Sequence, residues 1–188
     1  KIRAPKQKPA ELQFPTAEQG RPIPVVFGTC EVKSPNVVWV GDKSTASYVN
    51  NGGGVFYYAG MHMVICHGVC DYLREIYADG KVIDTDIPLN SGLSSNDEIY
   101  ADSVNLFGGK SGGGGIRGYI DVLFGAPAQT QNAYLQGILG TDIPAFRGVM
   151  SVVLKQVCLG NSQYIRPWSF LVQRILKDSS GNAQWYAA

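Results

Sequence analysis

The sequence is short of charge. Asp, Glu, Lys and Arg make up 16% of its 188 residues, against about a quarter in ordinary globular chains. A surface built with so few charges is largely uncharged, and such surfaces commonly meet another chain. Sixteen basic and fifteen acidic residues leave a net charge of +1, which excludes a strongly basic nucleic-acid binder as the default class. Cysteine is sparse too. Cys30, Cys66, Cys70 and Cys158 sit at irregular spacings, unlike a disulfide scaffold, and read as reduced thiols of a protein made in the cytoplasm. The longest apolar run, around Val55–Cys66, is too short to span a bilayer and carries His62. No apolar leader stretch is visible. The chain starts at Lys1 rather than Met, so it reads as a trimmed or partial product.

Apolar residues are plentiful, at 45%, enough for a sizeable core and against wholesale disorder. The length suits one domain, or one domain with an arm. Glycine (23 residues) and proline (ten) are frequent and imply many turns, hence strands more than helices.

Residues 1–22 read as an extended arm. Lys1, Arg3, Lys6 and Lys8 make it basic, and Pro5, Pro9, Pro15 and Pro22 keep it extended. Residues 23–188 read as a β domain. Strands are expected at Ile23–Phe27 and Val37–Val40, with Gly28 and Ser34-Pro35-Asn36 as punctuation. Asn50-Asn51-Gly52-Gly53-Gly54 is a hairpin tip or loop. Val55–His67 is a long strand with Tyr57, Ala59, Met61, Met63 and Ile65 on one face. Phe56, Tyr58, His62, Val64 and Cys66 lie on the other. Both faces are mainly apolar, so the strand is central or covered at an interface.

Tyr72–Tyr77 and Lys81–Asp84 flank the hairpin signal Asp79-Gly80. Residues 85–114 are loop-rich, with an edge strand expected at Val104–Phe107. Ile116–Phe124, Val149–Cys158 and Trp168–Ile175 are further strands, and Gln129–Leu139 is the one helix, stopped by Gly140. The fold class is mainly β with one short helix. An antiparallel β-barrel is expected because closure removes sheet edges, with a β-sandwich as the alternative.

The residues offer little bond chemistry. Gly108-Gly109-Lys110-Ser111 resembles the end of a phosphate-binding loop, but Val104 stands where that motif needs glycine and a strand follows where it needs a helix. Gly108–Gly115 therefore reads as a mobile loop or β-turn. Cys66 and His67 are neighbours in a strand and point to opposite faces. His62 and Cys66 share a face but stand about 13 Å apart along it, beyond hydrogen-bond reach. Cys66 and Cys70, joined by Cys30, Cys158 or a histidine, are the only candidates for metal ligands, and the spacing is not that of a zinc ribbon. Buried free cysteines usually behave as small hydrophobes. The acid pairs Asp84/Asp86 and Asp97/Glu98 lie in turn-rich sequence, where acids serve turns and solvent. No catalytic residue, cofactor or metal is expected.

Five stretches resemble the tail-tip hub, or tip-attachment, proteins of long-tailed phages, among them lambda J-like and gene-transfer-agent hub proteins. The first is Gly20-Arg21-Pro22-Ile23-Pro24-Val25-Val26-Phe27-Gly28 with Pro35-Asn36-Val37-Val38-Trp39. The second is Tyr57-Tyr58-Ala59-Gly60-Met61 with Cys66-His67-Gly68-Val69-Cys70-Asp71, where Val69-Cys70 departs from the family's Pro-Val. The third is Leu106-Phe107-Gly108-Gly109-Lys110, and the fourth Pro144-Ala145-Phe146-Arg147-Gly148-Val149. The last is Gly160-Asn161-Ser162, Tyr164-Ile165 and Arg166-Pro167-Trp168-Ser169-Phe170. They run in the family's order over nearly the whole chain.

The resemblance implies a structural virion protein located at the tail tip and assembled in the host bacterial cytoplasm. It implies a homotrimeric baseplate hub that closes the tail tube, docks on distal tail, tail-tube and other tip proteins, and links indirectly to the host cell surface. Genomic DNA would pass through its lumen without specific binding. It also implies barrels similar to tail-tube subunits, and further hub domains beyond Gln184-Trp185-Tyr186. Two other functions remain open on the residues: a tail-associated cell-wall hydrolase, and a carbohydrate-binding module using Tyr57 and Tyr58. Trp168 reads as a core anchor, Gly60 and Gly68 as sites of bending or close approach, and Arg147 as the partner of an acid.

Overall fold

The computed structural model describes residues 21–48, 54–178 and 180–184. Most of the arm, the tip at 50–53 and the pair Trp185-Tyr186 lie outside the described residues.

Within them the chain is mainly β. Nine strands form two antiparallel sheets. One sheet has the order β2 (Asn36–Tyr48), β3 (Gly54–His67), β8 (Val149–Cys158), β7 (Ile116–Leu123), β6 (Asp97–Ser103). The other has the order β1 (Gly28–Lys33), β9 (Trp168–Arg174), β4 (Tyr72–Ala78), β5 (Lys81–Val82).

Alternation builds the core. The expected inner face of β3, Tyr57 to Ile65, is buried. Met150, Val152 and Leu154 of β8, Ile116, Ile120 and Val122 of β7, and Ile99 and Ala101 of β6 continue that surface. The second sheet meets it with Leu73 and Ile76 of β4 and Trp168, Phe170 and Val172 of β9, so both sheets share one apolar core. The sheets also join along a seam beyond β5, where Asp102 N donates to Asp84 O and Asp86 N to Tyr100 O, both at 3.0 Å. On the opposite side β1 runs into β2 through Ser34, at φ 52°. Among the described residues the ladders are two open sheets, with no closed ring.

The outer face of the five-stranded sheet is covered over half its length. Leu135 of the helix α1 (Ala133–Leu139) packs with Leu123 and Val153, flanked by Trp39, Tyr134 and Ile143. Gln129 anchors the segment before the helix. Its buried side chain accepts from Gly125 N (2.8 Å) and donates to Ala145 O (2.7 Å).

Several expected boundaries shift. Ile23–Phe27 is extended coil rather than a strand, because Pro22 and Pro24 have no N–H to donate; pairing to β9 begins at Gly28. Val37–Val40 grows into the thirteen-residue β2, and Lys81–Asp84 shrinks to two residues. Val104–Phe107 is a turn; the strand is Asp97–Ser103 before it, whose inward side chains are Ile99, Ala101 and Ser103. The helix starts at Ala133 rather than Gln129, because Asn132 caps it by accepting from Leu135 N at 3.0 Å.

Candidate functional site

The uncovered half of the same outer face is a groove of about 630 Å³. Its floor comes from outward positions of four strands: Phe56 and Tyr58 on β3, Lys155, Gln156 and Cys158 on β8, Arg117 and Tyr119 on β7, and Tyr100 on β6. Lys110, from the glycine-rich turn, closes one end. That turn is tightly hydrogen-bonded: Gly114 N donates to Gly109 O at 2.9 Å, and Phe107 N to Gly114 O at 3.0 Å. It is followed by β7 and has no helix N-terminus to offer a phosphate.

Tyr100 and Tyr119 pack edge to face, 4.8 Å between centroids, and Tyr119 is 51% exposed. Arg117 Nε donates to Tyr100 Oη at 2.7 Å and lies 3.8 Å from Asp102. The Tyr100 hydroxyl first, then the Asp102 carboxylate, hold the guanidinium above its already high range. Lys155 sits between Asp121 (2.7 Å) and Glu98. Burial pushes the Tyr58 phenol and the Cys158 thiol up, so both stay neutral at pH 7. The groove thus presents aromatic faces, hydroxyl groups and three cationic residues, of which Arg117 and Lys155 are offset by neighbouring acids. Such a surface suits stacking and hydrogen bonding to a partner.

A bulge shapes the floor. Gln156 has φ 49° inside a central strand, and the β3–β8 and β7–β8 registers both shift there. Its side chain leans onto a second bulge, at Asp42 in β2.

The cysteines divide by place. Cys30 is exposed on β1, and Cys158 lines the groove. Cys66 and Cys70 are buried with their sulfurs 3.2 Å apart. The Cys66 thiol donating to Cys70 raises Cys66 and lowers Cys70, and the nearby Arg174 guanidinium lowers both. Among the described residues no cluster of three or more Cys, His, Asp or Glu is placed to hold a metal. His67 is exposed while Cys66 is buried, as strand alternation requires. His62 lies edge-on to Phe146 at 4.3 Å.

Tyr57 is a core residue, 6% exposed, and takes no part in the groove; of the adjacent pair only Tyr58 faces it. Trp168 is a core anchor stacked on Phe170. Arg147 donates to Gln129 O at 2.8 Å rather than to an acid. Sequence reasoning missed Tyr100, Arg117 and Tyr119 as a group. Their outward parity on strands 6 and 7 was the available signal.

No family model matches the chain, and no curated protein matches it. Among solved structures, a chain of the "virion of native gene transfer agent (GTA) particle" aligns with a TM-score of 0.52 at 17% identity. The alignment covers 94% of this chain and 31% of that one. The likeness is one of fold, and this chain spans about a third of the neighbour's length.

Proposed function

We propose that the chain is a structural component of a phage-like virion: a hub domain at the distal tail tip. One observation carries the reading. Nearly the whole chain, 94%, shares its fold with part of a longer chain that belongs to a virion. The five ordered stretches named above resemble hub proteins independently of that alignment.

The surface supports an assembly role. β2 and β1 are outer strands of their sheets, and outer strands are where another chain can add. Phe27, Tyr119 and Tyr164 are more than half exposed. The half-covered outer face leaves the groove for a neighbour. In this reading the two joined sheets are a tail-tube-type barrel open on its β1–β2 side. Three copies close the tube, and distal tail proteins seat against them. DNA passes the ring without a basic grip, consistent with the net charge of +1.

Deleting this coding region from the producing genome tests the role. The expected outcome is particles whose tails end in an unclosed tube, or tails that fail to assemble. Particles of normal form and normal delivery would contradict it.

A second reading is favoured by one observation, the three tyrosines lining one groove: carbohydrate binding by stacking. A glycan array with Tyr58→Ala and Tyr119→Ala in the complete polypeptide separates the two. Binding that both substitutions abolish would favour the lectin-like role.

A further inference from the structure

We infer that Cys66 and Cys70 are an oxidation site, closing to an intrachain disulfide that staples the crossover between the two sheets. The inference stands apart from the virion reading, since it needs only the geometry of this turn.

Cys66 is the penultimate residue of β3 in the five-stranded sheet, and Cys70 lies two residues before β4 in the other. The chain turns between them at Gly68, at φ 79°, which folds the two side chains toward one another. The sulfurs stand 3.2 Å apart, and closing to the ~2.0 Å bond takes only small side-chain rotations. Both residues belong to the apolar core, at 0% and 2% exposure. Burial makes their reaction wait on local opening of the turn, whereas Cys30 is exposed.

The surroundings hold the turn in this shape. His67 N donates to Pro24 O at 2.8 Å, and Gly68 N to Gly148 O at 2.6 Å. The Arg174 guanidinium lies over Gly68, where a Cβ would stand 2.5 Å from Nη2. Arg174 Nη1 is buried with no hydrogen-bond partner among the described residues. This cation beside the pair favours the thiolate that must attack.

The co-reactant is a low-molecular-weight disulfide of the glutathione class. One cysteine thiolate attacks it, forming a mixed disulfide and releasing one small thiolate. The other cysteine then attacks the mixed disulfide at the protein sulfur and releases the second. Two cysteine thiols lose two electrons and two protons; one small disulfide gains them and leaves as two thiols.

The test incubates the reduced, complete polypeptide with excess oxidised glutathione. The sample is quenched in acid, unfolded, treated with N-ethylmaleimide and cut with trypsin. Cys66 and Cys70 fall in one peptide, Ser44–Arg74. The expected peptide carries no maleimide and is two hydrogens lighter than its reduced form, while Cys30 carries glutathione. The Tm of the oxidised protein rises by roughly 3–6 °C. Cys70→Ala removes that rise and leaves Cys66 alkylated. A Ser44–Arg74 peptide with two maleimides, or with glutathione on either cysteine, overturns the proposal. An unchanged Tm with the bond formed overturns its stapling role. If Cys70→Ala does not fold, the peptide map of the unsubstituted protein decides alone.

Discussion

Gln156 Nε2 donates to Asp42 Oδ1 at 3.0 Å, joining two bulges that flank β3. Both residues have left-handed backbones, at φ 49° and 45°, a conformation that costs a non-glycine residue about 1 kcal/mol or more. Tyr134 of the helix donates to the other Asp42 oxygen at 2.6 Å. Burial, with that carboxylate, pushes its phenol up. The bridge crosses β3 at Gly60, whose missing side chain leaves room: a Cβ there would stand 2.6 Å from Tyr134 Oη and 2.8 Å from Trp39 Cη2. Gly60→Ala is therefore expected to destabilise the fold by about 1–3 kcal/mol, and Asp42→Ala by about 1–2 kcal/mol through its lost hydrogen bonds. Urea unfolding of both variants checks this. Unchanged midpoints would mean that the bulges are held by other contacts.

His62 makes stability depend on mild acid. Burial pushes its imidazole down to about 4, and Nε2 has no partner among the described residues. The unfolded chain binds the proton near pH 6.5, before the folded chain does. Stability present above about pH 6.5 is thus lost as pH falls toward 4, on the order of 3 kcal/mol in all. His62→Phe should flatten this part of the profile, since an uncharged ring cannot titrate. Thermal melts across pH 4–7.5 read the slope, and equal slopes in both proteins would remove His62 as the cause.

Two glycines should respond in opposite directions to the same change. Gly137 lies on the exposed side of the helix with open space around it, so Gly137→Ala should stabilise by about 0.5–1 kcal/mol. Gly125 has φ 79°, and a Cβ there would collide with the backbone of Val149. Gly125→Ala should lower Tm strongly. A denaturant titration ranking the two variants the other way would contradict the placement of the helix and of the β7–α1 connection.

The groove should matter to assembly more than to folding. Tyr119 is half exposed on its floor, so Tyr119→Ser should cost only about 0.5–1.5 kcal/mol, the worth of its edge-to-face contact with Tyr100. Incorporation of the variant polypeptide into purified particles should fall several-fold. Full incorporation of Tyr119→Ser combined with Arg117→Ala would place the contact elsewhere.

The strands legible in the sequence were those with one wholly apolar face. Met61, Met63 and Ile65 mark β3, and Phe170 and Val172 mark β9, because each alternate residue enters the core. β6 hid behind Asp97, exposed at its start, behind Glu98 and Asp102, which face outward, and behind Ser103, a polar residue turned inward. β1 carries a single buried side chain, Val32, so its pattern is that of an outer strand with little to bury. The groove was harder. Parity along a strand tells that Tyr58, Tyr100 and Tyr119 point outward, yet only the strand order, with β8 between β3 and β7, brings them to one place. The Cys66–Cys70 approach depends on the turn at Gly68, and strand spacing alone does not encode it.

Electron microscopy of particles labelled with an antibody to this chain tests the central claim most directly. The account predicts label confined to the distal end of the tail. Label along the tube, on the head, or absent from particles that contain the chain by mass spectrometry under denaturing conditions would contradict the tail-tip assignment.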